Sequence, residues 1–200
     1  ERGNLSETTQ IETGTSSSFE YDAAGRLVLG IDPNGNITEY GYDALGRLLT
    51  ETDPLGAVKM YQYDNNGNLT VFSDELDRKR FFGYDSLNRL INETNALGEE
   101  TTYIYDPIGN LTKETDPEGT DYLYEYNELN RLVKVERYDP GTGQLGIVAE
   151  YEYSYSGYRV KKSDSAENVI YYIFSPDGKI LYEEDSGTVK EYVYAINKHF

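Results

Sequence analysis

The chain of 200 residues contains no cysteine, no tryptophan, one histidine and one methionine. Without cysteine, neither a disulfide framework nor a thiolate metal site can form. Basic residues are also scarce: 18 lysines and arginines stand against 36 acidic residues, so the formal net charge is -18. This charge argues against nucleic acid as a partner, because phosphate binding needs clustered basic side chains, and equally against an anionic membrane surface.

Long apolar runs are missing as well. No segment approaches the ~20 apolar residues of a membrane span, so no membrane insertion is predicted. The first residues do not form a signal peptide. They include Gly3-Asn4-Leu5, which matches Gly25-Arg26-Leu27 further on. The chain is therefore expected to start inside a repeat, as a fragment of a longer array whose export signal lies upstream.

What the sequence has in abundance is a seven-residue phrase, Tyr-Asp-x-x-Gly-Arg-Leu with substitutions, which occurs six times. Its tyrosines fall every 21 residues, which identifies a repeat architecture. The predicted structural motif residues are Tyr21, Asp22, Gly25 and Leu27; Tyr42, Asp43, Gly46 and Leu48; Tyr63, Asp64, Gly67 and Leu69; Tyr84, Asp85 and Leu90; Tyr105, Asp106, Gly109 and Leu111; and Tyr126 and Leu132.

Each repeat contains two turn signals. One lies inside the phrase, and the other is spelled Asp53-Pro54-Leu55-Gly56 in the second complete unit. Asp accepts a backbone hydrogen bond, Pro presets φ and Gly permits positive φ, which together indicate a type I turn closed by a left-handed residue. Six or seven residues separate the turns, the usual length of a strand. The sequence therefore predicts an all-β protein of tandem 21-residue β-hairpin repeats in one continuous antiparallel sheet.

Aromatic residues recur two positions apart, as at Tyr40 and Tyr42, which places both rings on one face of a strand. We expect two aromatic ladders and a leucine column on a buried face. Residues 1–18 read as a degenerate partial repeat, irregular or poorly paired. Residues 19–132 are regular repeats, and residues 133–200 read as about three diverged hairpins, all within one array.

The phrase, together with the turn from Thr52 to Gly56, resembles the YD repeats of Rhs-repeat proteins. That family includes bacterial polymorphic toxins, the cocoon-forming subunits of insecticidal toxin complexes and animal teneurins. The resemblance implies a sheet that spirals into a hollow shell of the YD-shell type, enclosing a C-terminal effector in the toxins and forming part of an adhesion receptor in teneurins. No match to the family's self-cleaving core segment precedes Phe200, so no cleavage role is carried over to Asp32, Asp53 or Asp116.

Candidate chemical sites are weak. The stretch from Asp64 to Asn68 places oxygen ligands at alternate positions, but its sixth position is Leu69, where a calcium loop has Gly, and it repeats a turn found in every unit. His199 has no catalytic partner marked by a motif, and no pair of carboxylates stands out for glycoside hydrolysis. Five glycosylation sequons begin at Asn4, Asn36, Asn68, Asn92 and Asn110, four of them directly after a turn. We predict no enzyme activity, no catalytic residue, no cofactor and no metal.

Two functions follow from these observations. The first is a structural module of a secreted or surface bacterial protein, which builds a shell or scaffold around an effector outside this chain. The alternative is an extracellular adhesion or carbohydrate-binding module, or a filament-forming surface protein, in which exposed tyrosines stack on sugars. The predicted partners are neighbouring repeats, self-association through exposed sheet edges, and an effector or glycans.

Overall fold

The computed structural model contains two units, and within each unit every described strand pairs antiparallel with its neighbours in sequence. The structure describes residues 5–10, 15–164, 166, 168–174, 179–185 and 188–191. Contacts divide the chain into two units, residues 1–100 and 101–200. No helix long and apolar enough to cross a membrane occurs in these described ranges.

The first unit is a meander in which each strand forms a hairpin with the next. Its strands are β1 (Leu5–Gln10), β2 (Thr15–Tyr21), β3 (Leu27–Ile31), β4 (Ile37–Tyr42), β5 (Leu48–Thr52), β6 (Val58–Tyr63), β7 (Leu69–Ser73), β8 (Lys79–Tyr84) and β9 (Leu90–Thr94).

The second unit continues the same pattern with longer strands in its middle. Its strands are β10 (Glu100–Tyr105), β11 (Leu111–Thr115), β12 (Asp121–Tyr126), β13 (Leu132–Asp139), β14 (Gln144–Tyr153), β15 (Arg159–Asp164), β16 (Val169–Phe174), β17 (Ile180–Asp185) and β18 (Thr188–Glu191). The predicted all-β class of tandem antiparallel hairpins is confirmed.

The expectation of an irregular N-terminal stretch is wrong for the residues that the structure describes. β1 and β2 pair over six positions, from Leu5 opposite Glu20 to Gln10 opposite Thr15. Ladder hydrogen bonds use only the backbone, so a polar segment rich in serine and threonine can still form a strand when a partner lies beside it.

Every turn within the Tyr-Asp phrase, hereafter a YD turn, is followed by a β-bulge. Tyr42 lies opposite Leu48, whereas Gly41 lies opposite Thr50, so Leu49 is an extra residue in β5. The turns of the second kind, hereafter DP turns, join β3 to β4 and β5 to β6 without a shift. The two ends of the strands therefore form two different rims, one of YD turns with bulges and one of DP turns without them.

The predicted buried face is only half-buried. Among the residues whose side chains are described, the buried ones are Val135, Ala149, Ser73 and Thr120. Tyr40, Tyr42 and Tyr61 are of intermediate exposure. Contacts between the described strands of each unit run between strands adjacent in sequence, so no second layer built from those strands covers the rings.

The predicted aromatic ladders are interrupted. Tyr63 lies opposite Leu69, and Tyr40 lies opposite Glu51, because a returning strand separates the aromatic strands of successive repeats. Tyr61 does contact an aromatic neighbour, since Phe72 replaces the glutamate at its opposite position and the ring centroids lie 5.3 Å apart. Across the sheet, the tyrosine column therefore alternates with the leucine column, as at Tyr63 opposite Leu69.

Candidate functional site

The predicted motif residues occupy equivalent places in every repeat. The tyrosines end one strand, the aspartates open the turn, and the leucines begin the next strand. Gly25, Gly46, Gly67 and Gly109 adopt left-handed backbone conformations, with φ between 79° and 101°. Asn88 and Asn130 take the same conformation where glycine is absent, with φ of 62° and 56°. Only this conformation closes the turn, which explains the choice of glycine or asparagine.

The aspartate side chain organises the YD turn. Oδ1 of Asp43 accepts the backbone N–H groups of Leu45 and Arg47, both at 2.9 Å, and its Oδ2 accepts Nε of Arg47 at 2.7 Å. The backbone N–H of Arg47 is the largest cause that holds the pKa of Asp43 below its usual value. Every hydrogen bond named here stabilises the charged carboxylate, so the turn is built around an ionised aspartate.

The arginine of the phrase also reaches the next repeat. Nη1 of Arg47 donates to the backbone oxygen of Asp64 at 2.8 Å, and its guanidinium lies 4.8 Å from the centre of the Tyr63 ring. Arg26 makes the same pair of contacts to Asp43 and Tyr42. Planar geometry lets one guanidinium serve the turn aspartate, a carbonyl and a ring at once.

A second link runs backward along the chain. The hydroxyl of Tyr42 donates to the backbone oxygen of Leu27, in the preceding repeat, at 2.8 Å. The same bond joins Tyr84 to Leu69, Tyr126 to Leu111 and Tyr153 to Leu132, at 2.9, 2.9 and 2.7 Å. Burial raises the pKa of Tyr42, Tyr84 and Tyr126, so these hydroxyls stay protonated donors at neutral pH.

The two links define a junction between successive repeats, formed by the arginine and leucine of one YD turn with the tyrosine and aspartate of the next. A family model, the RHS repeat, matches residues 28–58, 42–75, 84–121 and 105–144, just over half of the chain. The chain belongs to the RHS repeat family.

A solved structure shows the same fold. The crystal structure of TcdB2-TccC3 superposes with a TM-score of 0.68 at 15% identity, covering 88% of this chain and 11% of the other. Because the two sequences are only 15% identical, the similarity establishes a shared fold and nothing more. A second structure, TcdB2-TccC3-Cdc42, matches at 13% identity over 86% of this chain and 14% of the other, with a TM-score of 0.40. The chain thus spans about a tenth of the length of the first structure, and no curated protein matches it.

Some RHS repeats replace the arginine with asparagine. Nδ2 of Asn68 donates to Oδ2 of its own turn residue, Asp64, at 2.9 Å. It also donates to Oδ1 of Asn88 in the next repeat, at 2.8 Å. The shorter side chain therefore still forms a junction, because the next turn carries asparagine instead of glycine.

The sequence shows this pairing along the array. Arg26 and Arg47 are followed, 20 residues on, by Gly46 and Gly67, whereas Asn68 and Asn110 are followed by Asn88 and Asn130. A Cβ at Gly46 would lie in contact with Nη1 of Arg26, at 3.4 Å, so a side chain at this position would meet the arginine of the preceding repeat. The pairing of these two positions is a signal in the sequence from which a role for Arg47 between repeats could have been inferred.

Arg131 is a junction with one defect. Its Nη1 donates to the backbone oxygen of Ser154 at 3.3 Å, and its guanidinium lies 4.8 Å from the Tyr153 ring. The turn opens with Asn127 instead of aspartate, and Oδ1 of Asn127 accepts two backbone N–H groups. Nε of Arg131 is buried without a hydrogen-bond partner. The missing carboxylate oxygen explains the unsatisfied donor.

The other candidate sites are explained by the turns. In the described parts of the chain, no group of three or more His, Cys, Asp or Glu residues could hold a metal ion. Both carboxylate oxygens of Asp64 accept hydrogen bonds from its own turn, at 2.9 Å each. The amide nitrogens of the sequon residues Asn36, Asn68 and Asn110 donate to turn aspartates. His199 and Asn4 lie outside the described residues.

Proposed function

We propose that this chain is a wall segment of a secreted or surface RHS protein, in which the repeats build a shell or scaffold around an effector encoded outside these residues. RHS repeats of this fold are structural. The observation that carries the proposal is the junction, in which Arg47 and Tyr42 direct their polar groups to neighbouring repeats. Side chains engaged in joining repeats hold the wall together.

The charge distribution supports a structural role. Lys59 bridges Glu51 and Glu75 at 3.0 and 3.1 Å on the aromatic face, and its pKa is raised, chiefly by its hydrogen bond to Glu51. Tyr124 donates to Glu114 at 3.0 Å on the aromatic face of the second unit. These side chains contact one another across the sheet, and cross-strand pairs of this kind stabilise a sheet.

The experiment uses the full-length protein encoded by the gene, including any sequence outside residues 1–200. We expect the C-terminal region to resist added protease in the intact protein. Breaking junctions with Tyr42→Phe, Tyr84→Phe and Tyr126→Phe together should expose it, while Tyr155→Phe, at a fully exposed ring, should not. Equal cleavage in all variants, or the absence of any further domain, would contradict enclosure.

Adhesion to glycans is the second candidate, and one surface favours it. The rings of Tyr158 and Phe174 stack with centroids 4.9 Å apart beside a cleft of about 640 Å³ that Tyr172 and Ser156 also line. Tyr155, in the adjoining turn, is fully exposed. Exposed rings can stack on sugars. Binding to a glycan panel should then be lost in Tyr155→Ala and Tyr158→Ala, and a flat response of the unaltered chain would exclude this function.

A further inference from the structure

The hairpin formed by β13 and β14 extends beyond the strand that follows it. β14 has ten residues and β15 has six. Pairing between β14 and β15 ends at Ala149 opposite Asp164, where the backbone N–H of Asp164 closes a turn by donating to the oxygen of Asn168 at 3.1 Å. β14 itself continues back to Gln144. Among the described strands, none pairs with residues 144–148 on the side away from β13, and we call these residues the β14 edge.

The two strands of this hairpin differ in cover and in charge. β13 pairs with β12 as far as Tyr138 opposite Asp121, and this covered stretch carries the charges of Glu136 and Arg137. The β14 edge reads Gln-Leu-Gly-Ile-Val and contains neither a charge nor a proline. Proteins usually protect an edge strand with such residues, because its free N–H and C=O groups pair with any strand that approaches. The uncovered side of the hairpin is therefore open to strand pairing.

One side chain beside the β14 edge has no partner. The guanidinium of Arg137 makes no hydrogen bond, ion pair or ring contact with any described residue, whereas Arg131 and Arg159 contact tyrosine rings. Arg137 lies opposite Gly146, so the two residues share a face of the sheet. A Cβ at Gly146 would have no atom within 4 Å, so the space above this glycine is open. The free guanidinium thus stands beside an open position of the edge.

A cleft of about 510 Å³ surrounds this position. Arg137 and Gly146 line it together with Tyr122, Gln144 and Asp139. The carboxylate of Asp139 is engaged in its own loop, because its Oδ1 accepts the backbone N–H of the residue two positions later at 2.8 Å. The cleft therefore offers a free cation next to free backbone groups, and these two features together define what can bind.

We propose that the β14 edge binds an extended peptide segment of another protein as an added strand, with a carboxylate side chain opposite Gly146 that pairs with Arg137. The backbone groups of the edge supply the ladder hydrogen bonds. The added residue lies two strand spacings from Arg137, about 10 Å, a distance that the side chains of glutamate and arginine span together. Its two neighbours face Leu145 and Ile147, which are 53% and 39% exposed, and should be apolar.

A second copy of this chain does not provide the required strand. Antiparallel pairing of two β14 edges about an axis at Gly146 places glycine opposite glycine and brings no carboxylate to Arg137. The edge contains no acidic residue in any register. The guanidinium therefore selects an acidic strand from a different protein, whether or not the repeats also enclose an effector.

Fluorescence anisotropy tests the site with the full-length protein and three labelled peptides. The first is acetyl-Thr-Val-Glu-Val-Thr-amide, whose symmetrical sequence presents the glutamate in either strand direction. The second has lysine in place of glutamate, and the third is the first peptide with a methyl group on every backbone nitrogen. The glutamate peptide should bind about fivefold more tightly than the lysine peptide, as expected for one ion pair. The methylated peptide should not bind, because it cannot donate ladder hydrogen bonds.

Three protein variants locate the site. Arg137→Glu should reverse the preference, so that the lysine peptide binds more tightly than the glutamate peptide. Ile147→Lys places a charge on the edge and should abolish the binding of both peptides. Arg78→Glu changes another exposed arginine, at a distant turn, and should bind both peptides as the unaltered protein does. Circular dichroism should show the same strand content in all variants.

Several results would overturn the proposal. They are a glutamate peptide that does not bind the unaltered protein, equal affinities for the three peptides, and binding that survives Ile147→Lys. Dimers in sedimentation equilibrium that disappear in Ile147→Lys would also overturn it, because they would identify a second copy as the occupant of the edge. The peptide comparison uses the unaltered protein, so it decides the question even where a variant fails to fold.

Discussion

The side-chain amide of Asn68 donates a 2.8 Å hydrogen bond to Oδ1 of Asn88, which stands in the left-handed position that glycine holds in the preceding repeats. This contact replaces the arginine link seen at Arg47, which donates to the backbone of Asp64 instead. The residues of one turn are thus matched to those of the next.

This matching predicts non-additive stability changes. Asn68→Arg alone brings a long side chain against Asn88, and Asn88→Gly alone removes the acceptor of two amides. The double variant restores the arginine–glycine pair found elsewhere in the chain. It should therefore be more stable, by ~1 kcal/mol, than the sum of the two single changes in unfolding free energy would predict. Urea unfolding of the four proteins measures this coupling. Additive changes would show that the two positions are independent.

Arg47 should contribute more to stability than an arginine confined to its own turn. Arg47→Ala removes the bond to Asp64 and the contact with Tyr63, and should cost about 1–2 kcal/mol of unfolding free energy. Arg78 is the control, because its Nε makes the same bond within its turn, to Asp74 at 2.6 Å, and it is 64% exposed. Arg78→Ala should cost at most about 0.5 kcal/mol. Equal losses in urea would mean that the junction adds nothing.

The tyrosine hydroxyl should contribute through its bond to the preceding repeat. Tyr84→Phe leaves the carbonyl oxygen of Leu69 without its donor, and should cost ~1 kcal/mol. Tyr155→Phe removes a hydroxyl from a fully exposed ring and should leave stability within ~0.5 kcal/mol. Thermal unfolding of both variants compares the two hydroxyls directly. A neutral Tyr84→Phe would show that ring packing alone holds the junction.

One substitution should stabilise the chain. Asn127→Asp supplies the carboxylate oxygen that Nε of Arg131 lacks, and should raise the unfolding free energy by ~1 kcal/mol. The matched control is Asn95→Asp in a DP turn, because Nδ2 of Asn95 donates to Glu99 at 2.7 Å and a second carboxylate there would repel it. That variant should be less stable than the unaltered chain. If the denaturant midpoint rises in Asn127→Asp and falls in Asn95→Asp, the gain comes from specific pairing with Arg131. Shifts in the same direction would indicate a general effect of the added charge.

Acid should weaken the fold through the turns. Hydrogen bonds lower the pKa of both Asp22 and Asp43 in the folded chain. The largest cause is the side chain of Arg26 for Asp22, and the backbone N–H of Arg47 for Asp43. A lowered folded pKa gives stability that is present above the unfolded value, ~3.9, and is lost as the pH falls through the folded value. Urea midpoints between pH 6 and pH 2 should therefore fall below about pH 4. Asp22→Asn with Asp43→Asn should reduce this dependence in part, because other turn aspartates such as Asp64 and Asp85 also have a lowered pKa. An unchanged slope would exclude the turns of Asp22 and Asp43 as a source.

Much of the fold could be predicted because each turn and strand is determined by a short stretch of neighbouring residues within the repeat. Asp43 and Gly46 specify their turn through hydrogen bonds and φ within five residues, so the turn and the strands beside it follow from the sequence. The junction was harder to predict. It joins Arg47 to a backbone oxygen 17 residues away, and any residue supplies a backbone oxygen, so only the pairing of the arginine with a glycine 20 residues later indicates the contact.

Burial was also beyond the sequence pattern. Alternation at Tyr61 and Tyr63 places both rings on one face but does not say whether a second layer covers that face. The returning strand, which carries Leu69 opposite Tyr63, could have been anticipated from hairpin register. The bulge after each YD turn could not, because the extra residue, such as Leu49, has no distinguishing chemistry.

The junction has a consequence for the order in which the repeats fold during synthesis. Arg47 and the backbone of Leu27 find their partners only in the repeat that is synthesised after their own. During synthesis, we therefore expect each repeat to lack these two contacts until the Tyr-Asp pair of the next repeat has been made. Folding should follow translation at a constant distance of one repeat, and the most recently made unit is always the one left incomplete.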